Sequence, residues 1–382
     1  MFPDSDDLGA WLRLTLVPGL GPASARRLLA AFGSPQAVFS ADADAVRAVL
    51  PRLSPAALRA DSGWPSELER TLNWLEAADA VGQRGVLTLA DAAYPAPLLD
   101  AVDPPLMLFA EGDLARWQRP AVAIVGSRHP TAQGAENAEA FARVLSEAGV
   151  VVVSGLARGV DAAAHDGALR PIESGDAPFA GGTIAVLGTG LNQVYPKGHQ
   201  ALARRVARNG LLLSEFTLDT PPLPSNFPKR NRIVAALSRG TLVVEAALQS
   251  GSLITARLAN EMGREVLAIP GSIHAPQARG CHALIKQGAK LVETAQDVLE
   301  ELNLGAAMPA SLATSEEAGP GASADADDPI LLAMGHDPVG QDALSARTGL
   351  GPAELGARLL ELELMGEIAR LPGALFQRLV RA

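Results

Sequence analysis

Three things are scarce or missing in this 382-residue chain, and each narrows what it can do. Cysteine occurs once, at Cys281, so no internal disulfide can form and no zinc site of several thiolates can be assembled. A reducing cytoplasm fits that usage. Positive charge is in deficit: 32 Lys and Arg stand against 42 Asp and Glu, a formal charge of −10, so any phosphate must be met by a local cationic site rather than a global field. Long apolar runs are the third absence. None reaches bilayer-spanning length, and the amino terminus, MFPDSDDLGAWLRL, is acidic where a secretion signal would be basic. The expectation is a cytoplasmic protein with no membrane attachment. No internal repeat is found either.

What is present describes an ordinary globular chain, 48% hydrophobic and 19% charged, long enough for two or three domains. Residues 1–85 are Leu/Ala-rich and broken by VPGLGP (17–22), a pattern for short helices. Within it LVPGLGPASARRLL (16–29), with Arg26 and Arg27, has the look of a helix-hairpin-helix, whose glycine amides contact phosphate without reading sequence; an ordinary helix–helix turn is the plainer alternative. Over 86–304 strand-length apolar runs alternate with helical stretches: AVAIV (121–125), VVVVS (150–154), TIAVL (183–187), LLLSE (211–215), TLVVE (241–245) and EVLAI (265–269). That alternation predicts a doubly wound, mostly parallel sheet buried on both faces. Residues 305–329, rich in Ala, Ser, Gly, Pro and acids, read as a flexible linker, and 330–382 as three helices and a β-wing, a winged-helix module.

The motifs cluster where strands give way to helices. In AVAIVGSRHPTAQG (121–134) a strand ends at Gly126 and a helix follows, so amides of the turn can face an anion. The further glycines and the acidic strand end of a dinucleotide site are missing; Ser127 and Arg128 stand there instead, which disfavours NAD. VVVVSGLARGVDAAAHDGAL (150–169) repeats the design with Ser154, Gly155 and Arg158, and strand ends in such a sheet line one crevice. Asp161 suits a helix cap, and with His165 one turn later it imitates a metal pair that lacks a third ligand. GTGLNQVYPKGHQAL (188–202) adds Tyr195, Lys197 and His199, a stacking ring and cations or simply a solvated loop. FPKRNRIVAAL (227–237) gathers Phe227, Lys229, Arg230, Asn231 and Arg232. Pro228 is expected to hold Phe227 outside a helix that starts near Arg230, leaving an aromatic beside cations at a helix N-terminus. After the strand TLVVE, Gly251 and Ser252 precede another helix, and Glu245 is the main opening for acid–base chemistry. Cys281 and His282, being adjacent, cannot be assumed to face one another.

Taken together GSR (126–128), SGLARGVDAAAH (154–165), YPKGH (195–199), FPKRNRIVAALS (227–238), VVEAALQSGSLITA (243–256), GREVLAIPG (263–271) and LIKQGAKLV (284–292) resemble the DNA-processing protein A family, also called DprA or Smf. The match covers the sheet region nearly end to end, and the N-terminal helices and C-terminal winged helix are similar to those of many members. The resemblance implies an extended Rossmann-like sheet flanked by a helix-hairpin-helix (SAM-like) domain and a winged-helix domain. It also implies binding of single-stranded DNA without evident catalysis, cofactor or metal, homodimerisation, and loading of the RecA recombinase onto incoming DNA in natural transformation. Weak binding of double-stranded DNA is left open. Carried over by motif, DNA contacts map to Arg128, Lys197, Phe227, Lys229 and Arg230, with Ser154, Gly155, Gly251 and Ser252 shaping the pocket. Gly126, Ser127, Arg158, Asn231 and Arg232 complete the candidate interface. One departure is GCHALI (280–285), where the family usually has Asn in place of His282.

Two rival functions carry weight. Nucleoside-monophosphate nucleosidases share a similar sheet and use an arginine and a glutamate, to which Arg128 and Glu245 would correspond; here SRGTLVVE has their Gly-Thr and acid but lacks the preceding Pro-Gly-Gly. A sequence-specific regulator would read DNA through the winged helix. Its third helix carries Glu354, Glu361 and Glu363 against Arg358, an unpromising surface for a major groove.

Overall fold

The computed structural model describes residues 5–304 and 328–379, apart from positions 55, 61, 78–80, 102, 336–337 and 372. Five helices come first: α1 (Ser5–Thr15), α2 (Pro22–Phe32), α3 (Pro35–Ser40), α4 (Ala43–Val49) and α5 (Trp64–Glu76). Local chemistry sets their ends. Pro22 opens α2 where no helical N–H is needed, Gly33 closes it at φ +86°, and the side chains of Ser34 and Asp42 cap α3 and α4 by accepting backbone N–H bonds. This bundle packs directly on the sheet region. Leu8, Trp11 and Leu12 of α1 lie in one apolar cluster with Phe109, Leu156 and Leu169 of the sheet region, and Arg26 reaches across to the Asp103 carboxylate and the Pro104 carbonyl.

The nine-stranded sheet begins with β1 (Gln83–Thr88), so the boundary expected after residue 85 falls inside a strand. After α6 (Ala96–Leu99) come β2 (Met107–Gly112), β3 (Ala121–Val125), α7 (Ala132–Glu147), β4 (Val151–Ser154), α8 (Val160–Ser174), β5 (Thr183–Val186), α9 (Gln200–Asn209) and β6 (Leu211–Ser214). The second half runs α10 (Asn226–Leu237), β7 (Gly240–Val243), α11 (Ser252–Glu261), β8 (Glu265–Ala268), α12 (Arg279–Lys286), β9 (Lys290–Leu291) and α13 (Ala295–Glu301). Strand order is β1-β2-β6-β5-β4-β3-β7-β8-β9, parallel from β6 to β9, with β1 and β2 antiparallel at one edge. The six apolar runs picked out in the sequence supply β3 to β8, and helices cover both faces, as their unbroken Val/Ile/Leu character requires.

The chain winds outward from β3 through β4, β5 and β6, then returns to lay β7 on the other side of β3. The carboxyl ends of β3 and β7 therefore diverge into helices on opposite faces and leave a crevice between them, where open α/β sheets place their ligands.

A winged helix of α14 (Pro329–Met334), β10 (Val339–Gly340), α15 (Gln341–Thr348), α16 (Pro352–Leu364), β11 (Ile368–Leu371) and β12 (Leu375–Arg378) has its own core, centred on Leu344, Leu355, Leu359 and Phe376. Of the linker expected over 305–329, all but Asp328 and Pro329 lies outside the described residues; those two cap and open α14.

His165 ties three of these elements together. Its Nε2 accepts from the Leu156 N–H at 3.2 Å, so Nδ1 carries the proton and donates to Thr183 Oγ1 at 2.7 Å, while Thr183 donates to the Val152 carbonyl at 2.7 Å. Both ring nitrogens of His165 are thereby engaged, and among the described residues no group of three or more potential ligands gathers beside it as a metal site. Burial, reinforced by the charges of Arg230 and His199, lowers the His165 pKa to about 3. The unfolded chain takes up that proton near the ordinary value of about 6.5, so stability falls as pH drops below it, by about 2 kcal/mol at about pH 5 from this group. Urea unfolding at pH 7 and pH 5 should show the loss, and His165→Gln should flatten it; an equally steep decline in the variant would contradict a neutral, buried imidazole.

Candidate nucleic-acid interface

The crevice is shaped from beneath by carboxylates that hold backbone. Thr131 caps α7, its Oγ1 accepting from the Gly134 N–H at 3.0 Å. Glu245, just beyond β7, holds that cap from the other side of the crevice: Oε2 accepts from the Thr131 N–H at 2.9 Å and Oε1 from the Thr131 hydroxyl at 2.6 Å. A Cβ at position 134 would lie 2.4 Å from the carboxylate carbon, so only glycine leaves room. Glu245 thus staples the β7 exit to the start of α7.

After β4 the chain makes a tight loop. Ser154 donates to the Ile124 carbonyl at 2.7 Å, Leu156 takes φ +58°, and Asp161 Oδ2 accepts from the amides of Gly155 at 3.1 Å and Ala157 at 3.2 Å. The Arg230 guanidinium lies against the bare Gly155 backbone, so close that a Cβ there would sit 1.8 Å from Nη1, and Nη1 donates to the Val186 carbonyl at 2.6 Å. Burial raises the Asp161 carboxyl above its ordinary pKa, and burial lowers Arg230; in each case the facing partner opposes the shift.

Arg230, expected to hold phosphate from a helix entrance, is instead 4% exposed and forms part of the floor. The helix start is corrected with it. α10 begins at Asn226, so Phe227 and Pro228 lie in its first turn, where proline's missing N–H costs no helical bond. Arg232 leaves the candidate set of free cations: it pairs with Glu215, with Asp103 a further 3.9 Å contact, and its side chain is 12% exposed. Asn231 bridges to the next loop, donating to the Gly251 carbonyl at 3.5 Å, and Ser252 is buried at the start of α11, its hydroxyl 2.7 Å from that of Ser250.

Above this floor sit the rings. Phe227 rests on Gly188, where a Cβ would come within 2.9 Å of its ring, and Tyr195 meets it at 5.5 Å between centroids, tilted by 43°. Arg128 Cζ lies 6.0 Å from the Phe227 centroid. Phe227 is half-buried, and the more open ring is Tyr195, 47% exposed. Two adjoining hollows, of about 670 and 210 Å³, share Arg128, Ala157, Tyr195, Phe227 and Arg230. The larger reaches Gly126, Ser127, Gly251 and Ser252 across the crevice; the smaller is flanked by Arg158. Arg128, Arg158, Lys197 and Lys229 are exposed, and among the described residues none of them is in an ion pair. Lys197 lies on a short turn whose His199 Nδ1 is 3.0 Å from the Leu156 carbonyl, and neither Lys197 nor Lys229 lines the two hollows.

The remaining reactive groups are engaged elsewhere. Cys281 is buried, its thiol directed at the Val243 and Val244 carbonyls and its pKa pushed up to about 12 by burial, while His282 Nε2 lies 2.9 Å from the Gly271 carbonyl. Three features were beyond sequence reasoning: the Gly188 seat for Phe227, the Arg230–Gly155 stack and the Arg232–Glu215 pair. Each depends on α10 packing across β3, β4 and β5, with Arg232 reaching the residue that follows β6.

Comparison with known proteins agrees with this architecture. The family model described as DNA recombination-mediator protein A matches residues 85–303, a DprA winged helix domain matches 314–374, and a SAM-like helix-hairpin-helix tandem matches 12–59. Protein Smf of Escherichia coli is 42% identical over 318 residues, 82% of each chain, and DNA processing protein DprA of Streptococcus pneumoniae is 47% identical over 214 residues, 56% of this chain and 73% of the relative. The solved structure of the Streptococcus pneumoniae protein superposes with a TM-score of 0.66 at 36% identity, covering 79% of this chain and 99% of that one. A Helicobacter pylori DNA processing protein A, whose structure is described for its single-stranded DNA binding mode, gives a TM-score of 0.50 at 32% identity over 57% of this chain and 95% of its own. With the sheet, the winged helix and more than half of its length matched, the chain belongs to the DNA processing protein A family, DprA or Smf.

Proposed function

We propose that this protein binds single-stranded DNA across the crevice between β3 and β7, without catalysis, and delivers it to the RecA recombinase in transformation and recombination. The observation that carries the reading is the ring pair Tyr195–Phe227 with Arg128 and Arg158 at its hollows and Lys197 and Lys229 each two residues along the chain from a ring, none of the four in an ion pair among the described residues, in a chain whose remainder is acidic. Bases stack on the open ring whatever their sequence, and Arg128, Arg158, Lys197 and Lys229 take phosphates. The acidic remainder keeps the strand in this groove and off the rest of the surface. Single-strand binding by the Helicobacter pylori relative supports the reading. RecA loading, a homodimeric state and a cytoplasmic location rest on family membership and enter here as parts of the same proposal. Glu245 is placed as a structural tie, both its oxygens accepting from Thr131 at the α7 cap, which favours binding over the nucleosidase reading.

Stacking and charge are separable by salt. Tyr195→Ala or Phe227→Ala should weaken single-strand binding about ten- to a hundred-fold with little change in salt dependence. Lys229→Ala or Arg128→Ala should lower the slope of log affinity against log salt by about 0.7 for each phosphate contact removed. Binding equal to the parent in all four variants would place the strand elsewhere.

Truncation after Leu304 should leave single-strand affinity within about twofold, because α16 is acidic and, among the described residues, none of the winged helix lines the two hollows. A fall to background would move the binding surface into the removed module.

On single strands precoated with single-strand binding protein, the full-length protein should shorten the lag before RecA-driven strand exchange. No acceleration with a cognate RecA would reject loading and leave the DNA groove untouched.

A further inference from the structure

Helix α16 occupies the place from which a winged helix enters a major groove, yet the side chains it offers are wrong for DNA. Its inner face, Leu355, Leu359 and Leu362, fills the module's core. A second apolar row, Ala353, Ala357, Leu360 and Leu364, runs along the outside at intervals of four, three and four residues, the seam of a coiled-coil strand. All four are exposed, Leu360 at 58% and Leu364 at 81%, and Met365, which ends the helix, is exposed to one side of the row. A contiguous apolar strip on an outer helix face is costly to leave in water and marks a contact surface.

The charges beside that row narrow its occupant. Glu354, Glu361 and Glu363 lie to either side of it, and the only cation on the helix, Arg358, is neutralised by Asp328 Oδ2 at 2.5 Å and Glu361 Oε2 at 2.6 Å. Phosphate is repelled by such a rim, and a second copy of α16 would bring like charge against like. We infer that α16 is the docking face for an amphipathic helix of a partner protein, apolar along one seam and bordered by Lys or Arg. The seam supplies affinity by burying the two leucines, and the basic border sets register against the glutamates.

The test uses the full chain and a fluorescein-labelled helical peptide of Leu and Lys, with Leu at the seam positions of successive heptads. Anisotropy should show saturable binding that Leu360→Gln or Leu364→Gln weakens about tenfold each, since burial of one leucine is lost while the surface charge stays the same. Phe227→Ala should bind the peptide like the parent. A peptide of identical composition in shuffled order, and one with Glu for Lys, should bind at least about tenfold more weakly. Both leucines are mainly exposed, so the variants should keep the parental melting temperature. Equal binding by the glutamine variants, or by the shuffled or acidic peptide, would overturn the inference. So would sedimentation showing that Leu364→Gln dissociates a dimer, because the occupant would then be a second copy.

Discussion

The groove depends on one buried cation. Arg230 brings a guanidinium under the strand ends, where it lies on Gly155, donates to the carbonyl of Val186 at the end of β5 and faces Asp161, which in turn holds the amides of Gly155 and Ala157. Removing water from such a charge is costly, and the cost is offset only while the carboxylate and carbonyl stay in place. The arrangement therefore locks α10, α8 and the β4 loop into a single geometry. Phe227, three residues before Arg230 on the same helix, is carried to its seat on Gly188 by the same lock.

That constraint explains how an acidic protein makes a local cationic site. The arginines of FPKRNR turn inward: Arg230 to the floor, Arg232 to Glu215, so the motif's positive charge is largely structural. Cations for a ligand come instead from the loops above, Arg128 after β3, Arg158 after β4 and Lys197 before α9, with Lys229 at the mouth of α10. Glu245 completes the frame by tying the β7 exit to the cap of α7, which keeps the two lips of the crevice in register. The site is a floor of compensated charges below a rim of exposed ones, well suited to a flexible polyanion whose bases differ and whose phosphates repeat.

Much of this was legible in the residues. Strands β3 to β8 are buried on both faces, so they appear as unbroken Val/Ile/Leu runs, and the glycines that follow several of them mark the crevice. The edge pair β1 and β2 was missed because QRGVLT is only half apolar and β2 pairs antiparallel with β6, a partner about a hundred residues away. The start of α10 was misplaced because the bias of a residue before proline yielded to tertiary packing of Phe227. Side-chain fates were the least readable. Nothing local distinguishes Lys229, which faces solvent, from Arg230 and Arg232, whose partners come from other strands.

The central claim is that a single strand lies across Tyr195 and Phe227, and photocrosslinking tests it most directly. Oligonucleotides carrying 5-iodouracil at successive positions, irradiated on the full-length protein and mapped by peptide mass spectrometry, should join to peptides containing Tyr195 and Phe227. Crosslinks confined to the N-terminal helices or the winged helix, with none at these two rings, would contradict the account.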